Sequence, residues 1–199
     1  MMGLVVVILI LRSHENTHDS ALVANADVYQ GTVIDPPVLL DDFVMPASTG
    51  NDVRLSDFRG KWVLLFFGFT HCPDICPTTL AEYAQVLEQL GVEAEQVQVV
   101  FISVDGERDT PDVLANYVTL FNPAFIGLQG NAETLARIQP QFNFWYEFVP
   151  QAGNSSNYSV DHSARTYLID PQGQLRITYS FGTERNVLVN SIRQVVQQG

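Results

Sequence analysis

The chain has 199 residues, 46% of them hydrophobic and 16% charged, which suits one globular domain with its own core. The formal net charge is −12 and Lys61 is the single lysine, so phosphate backbones are repelled and nucleic-acid binding is excluded. The two cysteines are too few for a disulfide scaffold and do not by themselves fix a redox compartment.

The amino terminus, MMGLVVVILIL, is apolar from Met1 to Leu11 and is followed by Arg12 and a polar stretch. This run is shorter than the ~20 residues of a spanning helix. It lacks a basic region before it and a small-residue cleavage site after it. The expectation is a membrane anchor or signal remnant at 1–11 whose first residues are missing, with the rest of the chain on the extracytoplasmic, periplasmic side. Residues 12–27 read as a flexible tether. Within it, HENTH formally matches the H-E-x-x-H zinc-protease pattern, but that motif works only on a helix. Ser13, Asn16, Thr17, Asp19 and Ser20 around it supply no apolar stripe for packing a helix, so no protease is expected.

From residue 28 the pattern is that of a folded domain reaching 199. Pro36-Pro37 and Thr49-Gly50-Asn51-Asp52 punctuate short apolar runs in 28–60, which predicts an amino-terminal hairpin extension. WVLLFF, 62–67, is an unbroken apolar run and predicts a central strand covered on both faces. A helix is expected from about Pro77 to Leu90, with proline at a position where its missing N–H goes unneeded. VQVVFISV, 97–104, is a second strand. A second helix starts near Asp109-Thr110-Pro111 and runs to Phe121. FIGL, 125–128, is a third strand, and Asn131 caps a helix that Pro140 is expected to stop. After a loop of roughly twenty residues, TYLID (166–170) and LRITYSF (175–181) form a hairpin around Pro171-Gln172-Gly173. A last amphipathic helix covers about 184–197. Strands alternating with helices, and an antiparallel hairpin at the end, give a mixed α/β sheet with flanking helices. The layout is that of a thioredoxin-like fold.

The stretch THCPDICP, residues 70–77, holds both cysteines. Residues four apart on a helical turn have Cα atoms about 6 Å apart, inside the roughly 4.4–6.8 Å window of a disulfide. A disulfide between Cys72 and Cys76 is therefore feasible. As a staple it would close a very small ring and stabilise the fold little. As a redox pair it sits between a buried strand and a helix amino terminus, where thiolate is favoured. The spacing is nevertheless C-x-x-x-C, and no proline lies between Pro150 and Pro171 to face the cysteines, as one does in the general thioredoxin-like oxidoreductases. The segment leading into TYLID is instead Tyr158-Ser-Val-Asp-His162-Ser163, which places an imidazole opposite the sulfurs. Two thiolates and one imidazole make a soft set suited to one copper ion, Cu(I) by its sulfurs and Cu(II) tolerated through the imidazole. Zinc in a structural role would want a fourth protein ligand. Asp161 is placed to orient the histidine ring. A peroxide-reducing enzyme of related fold would carry threonine three positions before its reactive cysteine, whereas Thr70 stands two before Cys72.

The segments GKWVLLFFGFTHCPDICPTTL, VVFISVDGERDTPDVLANY, FIGLQG and YSVDHSARTYLIDPQG resemble the SCO/SenC family over roughly residues 30–197. These are mitochondrial and bacterial copper proteins that help assemble the CuA site of cytochrome c oxidase. The resemblance implies a thioredoxin-like fold, a membrane anchor, copper held by Cys72, Cys76 and His162, and reversible oxidation of Cys72 and Cys76 to a disulfide. The expected partners are the oxidase subunit carrying CuA, the membrane through the amino-terminal segment, and a protein thiol reductant. The chief expectation is a copper metallochaperone, with a thiol–disulfide reductase that keeps the CuA cysteines reduced as the alternative. One departure is Gly106, where the family usually has proline and a stiffer turn. Asp105 and Asp109 carry a modest functional claim, helix capping being an equal explanation for Asp109.

Overall fold

The computed structural model describes residues 31–150 and 158–198. The expected anchor at 1–11, the tether at 12–27 and the HENTH motif lie outside these residues.

Among the described residues, ten strands and four α-helices follow in chain order. They are β1 Thr32–Leu39, β2 Val44–Pro46, β3 Asp52–Arg54, β4 Trp62–Gly68, α1 Ile75–Leu90, β5 Val97–Ser103, α2 Pro111–Val118, β6 Ile126–Gln129, α3 Ala132–Phe142, β7 Tyr146–Pro150, β8 Tyr158–His162, β9 Arg165–Ile169, β10 Gln174–Ser180 and α4 Arg185–Gln198. A six-stranded sheet runs β1-β10-β9-β4-β5-β6, with β4–β5 and β5–β6 parallel and the other pairs antiparallel. The expected mixed α/β architecture is present. Every residue of β4 is buried, as its unbroken apolar run requires of a strand packed on both faces.

Five sequence expectations need correction. The amino-terminal hairpin exists as β2 and β3, but β1 leaves it and pairs antiparallel with β10 at the edge of the main sheet. Helix α1 begins at Ile75, so Pro77 lies inside its first turn and Cys76 is helical. Proline costs nothing there because the first four N–H groups of a helix have no intrahelical acceptor. The first such bond is Thr78 N–H to the Asp74 carbonyl, 3.1 Å. Helix α3 runs past Pro140 to Phe142. Phe142 packs 5.2 Å from both Phe67 and Tyr167, and this burial outweighs the break that proline favours. Finally, the segment expected to be a loop carries the two-stranded ladder β7–β8, with Tyr146 opposite His162. Helix α2 also ends at Val118, short of Phe121.

Candidate metal centre

Strand β4 delivers the chain to the top of the sheet, and the cysteines occupy the turn into α1. Cys76 is fully buried, and Cys72 is half-buried at the surface of the same turn. Gly68 makes this possible. A Cβ there would lie 2.8 Å from Cys76 Sγ and 2.7 Å from a Phe101 ring carbon, closer than side chains tolerate. The Cys76 backbone N–H donates to Cys72 Sγ at 3.4 Å, so the sulfur occupies the capping position at the start of α1. Asp74, the residue before the helix, makes no side-chain cap of its own.

The third predicted residue, His162, ends β8. Its Nε2 lies 3.6 Å from Cys76 Sγ, and its Nδ1 lies 3.1 Å from the Ser163 carbonyl oxygen. A carbonyl only accepts, so Nδ1 carries the proton and Nε2 turns its lone pair to the sulfur. The ring is held edge-on by Phe66 and Phe69, with centroids 5.8 and 6.0 Å away. Asp161, expected to orient this ring, is exposed, and the Ser163 carbonyl does that work. Strand alternation sends neighbouring side chains to opposite faces, which carries Asp161 away from the imidazole.

The two thiols are electrostatically unequal. A hydrogen bond from the Cys76 thiol lowers Cys72 to about 3 against the opposing effect of burial. The bond to Cys72 and burial push Cys76 upward. Cys72 is thus the thiolate and Cys76 keeps the shared proton.

Among the described residues, no three His, Cys, Asp or Glu side chains already form a finished cage. The contacts are those of a proton-bridged triad instead. Two donors on one ion, with bonds of about 2.3 Å to sulfur and about 2.0 Å to nitrogen at a trigonal angle, stand about 3.7 Å apart. The observed 3.6 Å between Cys76 and His162 fits that requirement. The donor set is compatible with a soft ion such as copper.

Residues beyond this triad also shape the site. Asp109 is fully buried and accepts from Thr70 N–H at 2.8 Å, Thr70 Oγ1 at 2.6 Å and Ser103 Oγ at 2.6 Å. It does not cap α2; Thr110 does, through the Val113 N–H at 3.4 Å. His71 reaches Thr70 Oγ1 at 3.1 Å and is largely exposed. Asp105, also fully buried, pairs with Arg108 and accepts from Tyr158 Oη at 2.7 Å. Gly106 does more than loosen a turn, since a Cβ there would lie 2.0 Å from the Gly130 carbonyl oxygen. The sequence signal available for these residues was the acidic run Val104–Asp109 directly after a buried strand, where an apolar face would be expected.

The SCO1/SenC family pattern matches residues 33–197. The chain belongs to the SCO1/SenC family. Its SCO1/SenC relatives include the mitochondrial SCO2 homolog of Bos taurus, 43% identical over 155 residues, covering 77% of this chain and 58% of that protein. Arabidopsis thaliana ScoI, solved with copper bound, superposes with a TM-score of 0.74 at 32% identity over 81% of this chain and 100% of that one. Apo Sco1 from Thermus Thermophilus gives a TM-score of 0.74 at 39% identity, covering 84% and 96%. This SCO1/SenC chain spans about three-fifths of the length of the mitochondrial relatives it matches, 58% and 60% for two of them.

Proposed function

We propose that this protein is a copper metallochaperone that loads the CuA-bearing subunit of cytochrome c oxidase, with Cys72, Cys76 and His162 as the ligands of one copper ion. The carrying observation is the 3.6 Å approach of His162 Nε2 to Cys76 Sγ beside the Cys72 thiolate. Copper-bound ScoI of Arabidopsis thaliana and copper-bound yeast Sco1 support the choice of cargo. The ion takes the place of the proton shared by the two sulfurs, so loading releases that proton. A three-coordinate site at the surface favours unloading, because an incoming thiolate or imidazole of the recipient adds before a resident ligand leaves. In this reading residues 1–11 anchor the domain to a membrane through the 12–27 tether and hold it on the periplasmic side. Among the described residues, no helix is long and apolar enough to cross a membrane. The test is anaerobic Cu(I) titration of the reduced protein. One equivalent binds, and His162→Ala weakens binding by more than about 100-fold, beyond the cost of losing an outer hydrogen bond. Unchanged affinity in that variant removes His162 from the site.

The unequal thiols favour a second reading, a reductase that keeps the recipient's cysteines reduced. The Cys72 thiolate attacks a partner disulfide and releases one partner thiolate. The Cys76 thiol, deprotonated as it attacks, then forms the Cys72–Cys76 disulfide and frees the second. Two electrons pass to the partner, and a thiol reductant protein restores the pair. Reduction of an oxidised CuA-domain peptide by copper-free protein, undiminished in His162→Ala, supports this reading; no reduction removes it.

A further inference from the structure

The segment from the last residue of β5 onward, Ser103–Asp109, touches both halves of the site. Toward the cysteines it offers Asp109, whose carboxylate holds Thr70 by backbone and side chain, two residues before Cys72. Toward the histidine it offers Asp105 and Arg108, and both act on one residue, Tyr158, at the start of β8. The Tyr158 hydroxyl donates to Asp105 Oδ1 at 2.7 Å. Arg108 Nη1 donates to the Tyr158 carbonyl at 3.1 Å, and its guanidinium lies 3.8 Å from the Tyr158 ring centroid. Arg108 is itself held by Asp105 Oδ2. Tyr158 and His162 are the two ends of the same five-residue strand.

This matters because β7 and β8 form a separate ladder that shares no strand pairing with the six-stranded sheet. Phe148 and Val149 of β7 are exposed. Of the strand that carries the imidazole only Val160 is buried in the core, so its two ends, Tyr158 and His162, rest on contacts at the edge of the site. Charge-assisted hydrogen bonds and a cation–π contact, partly shielded from water, are strong enough to fix the Tyr158 end.

We infer that Arg108 and Asp105 are positioning residues for His162, and that Asp109 is the matching positioning residue for the cysteine turn. One short segment thereby sets the sulfur-to-nitrogen separation. The inference rests on the reading of His162 as a copper ligand, but its geometry is measurable without copper. Fixing Tyr158 fixes the register of β8, and with it where the ring sits between Phe66 and Phe69.

The test uses metal-free protein first. Phe66 and Phe69 shield the His162 ring protons, whose resonances are assigned by their loss in His162→Ala. In Arg108→Gln those resonances move toward the position of a free imidazole, and the alkylation rate of Cys72 stays at its wild-type value. Tyr158→Phe, which removes only the hydroxyl and is gentle to the fold, produces a smaller shift in the same direction. Asp109→Asn does the reverse, changing Cys72 alkylation several-fold while the ring resonances stay put. Anaerobic Cu(I) titration then shows Arg108→Gln weaker by about 10–100-fold, the range for groups that orient a metal ligand. Ring resonances unmoved in both Arg108→Gln and Tyr158→Phe, in folded protein, overturn the inference. So does a loss of Cys72 reactivity in Arg108→Gln equal to that in Asp109→Asn, which would mark a general loosening. If wild-type protein binds no copper while the resonances shift as described, the cargo reading falls and the positioning role stands.

Discussion

The two halves of the site are held in very different ways. The cysteine turn grows out of β4, buried along its whole length, and feeds α1, with Cys76 sealed at the level of the core. The histidine stands at the end of a short hairpin whose outer strand exposes nearly every residue. The sulfurs are therefore placed by the same packing that stabilises the fold, and the imidazole by two aromatic rings and a few polar contacts at the ends of its strand. A rigid half and a lightly held half suit the proposed function, in which an ion is gripped and later released.

The comparison can be tested by experiments of decreasing expected effect. The largest concerns pH. An ordinary thiol with the usual value of 9.0 loses reactive anion roughly a thousandfold between pH 8 and pH 5. Cys72, lowered to about 3, keeps its anion as pH falls over this range, so its iodoacetamide rate stays nearly flat between pH 8 and pH 5. A thousandfold decline in that rate would show the thiolate is not held in the turn. Next, Gly68→Ala presses a methyl group against Cys76 Sγ and Phe101. Denaturant unfolding should show a loss of about 1–3 kcal/mol, the range for an overpacked core. No loss would mean the turn is softer than its burial indicates. On the lightly held half, Glu147 and Asp161 face each other across β7 and β8. Glu147→Lys replaces repulsion with attraction and should add about 0.2–1 kcal/mol to hairpin stability, read by amide exchange of β8. The smallest effect is Asp161→Asn. This exposed side chain leaves the ring to Ser163, so Cu(I) affinity should change by no more than about twofold, as for a neutral surface substitution. A larger drop would restore Asp161 as an orienting group.

The rigid half was the more legible in the sequence. An unbroken apolar run, THCPDICP and a helical pattern are local signals, and they locate Cys72 and Cys76 on a strand-to-helix turn without further information. The helix starts two residues before the proline that marks it in the sequence, because the first turn tolerates proline throughout. His162 was legible only by inference from where a histidine would have to stand opposite the cysteines. The hairpin that carries it was not legible. Its first strand buries almost nothing, so it lacks the alternation by which strands are recognised. The same limit hid the roles of Asp105, Arg108 and Tyr158. Their partnership joins residues 50 and 53 positions apart, and nothing in the local spacing announces it. The break predicted at Pro140 failed for a third reason: Phe142 finds aromatic neighbours on β4 and β9 that no local rule can weigh.

The ladder of β7 and β8 shares no hydrogen-bonded strand with the main sheet. Withdrawing the imidazole therefore breaks no rung of the six-stranded framework. Under the proposed function, surrender of the ion need not approach an unfolding event: the molecule can open its hand while its arm stays still.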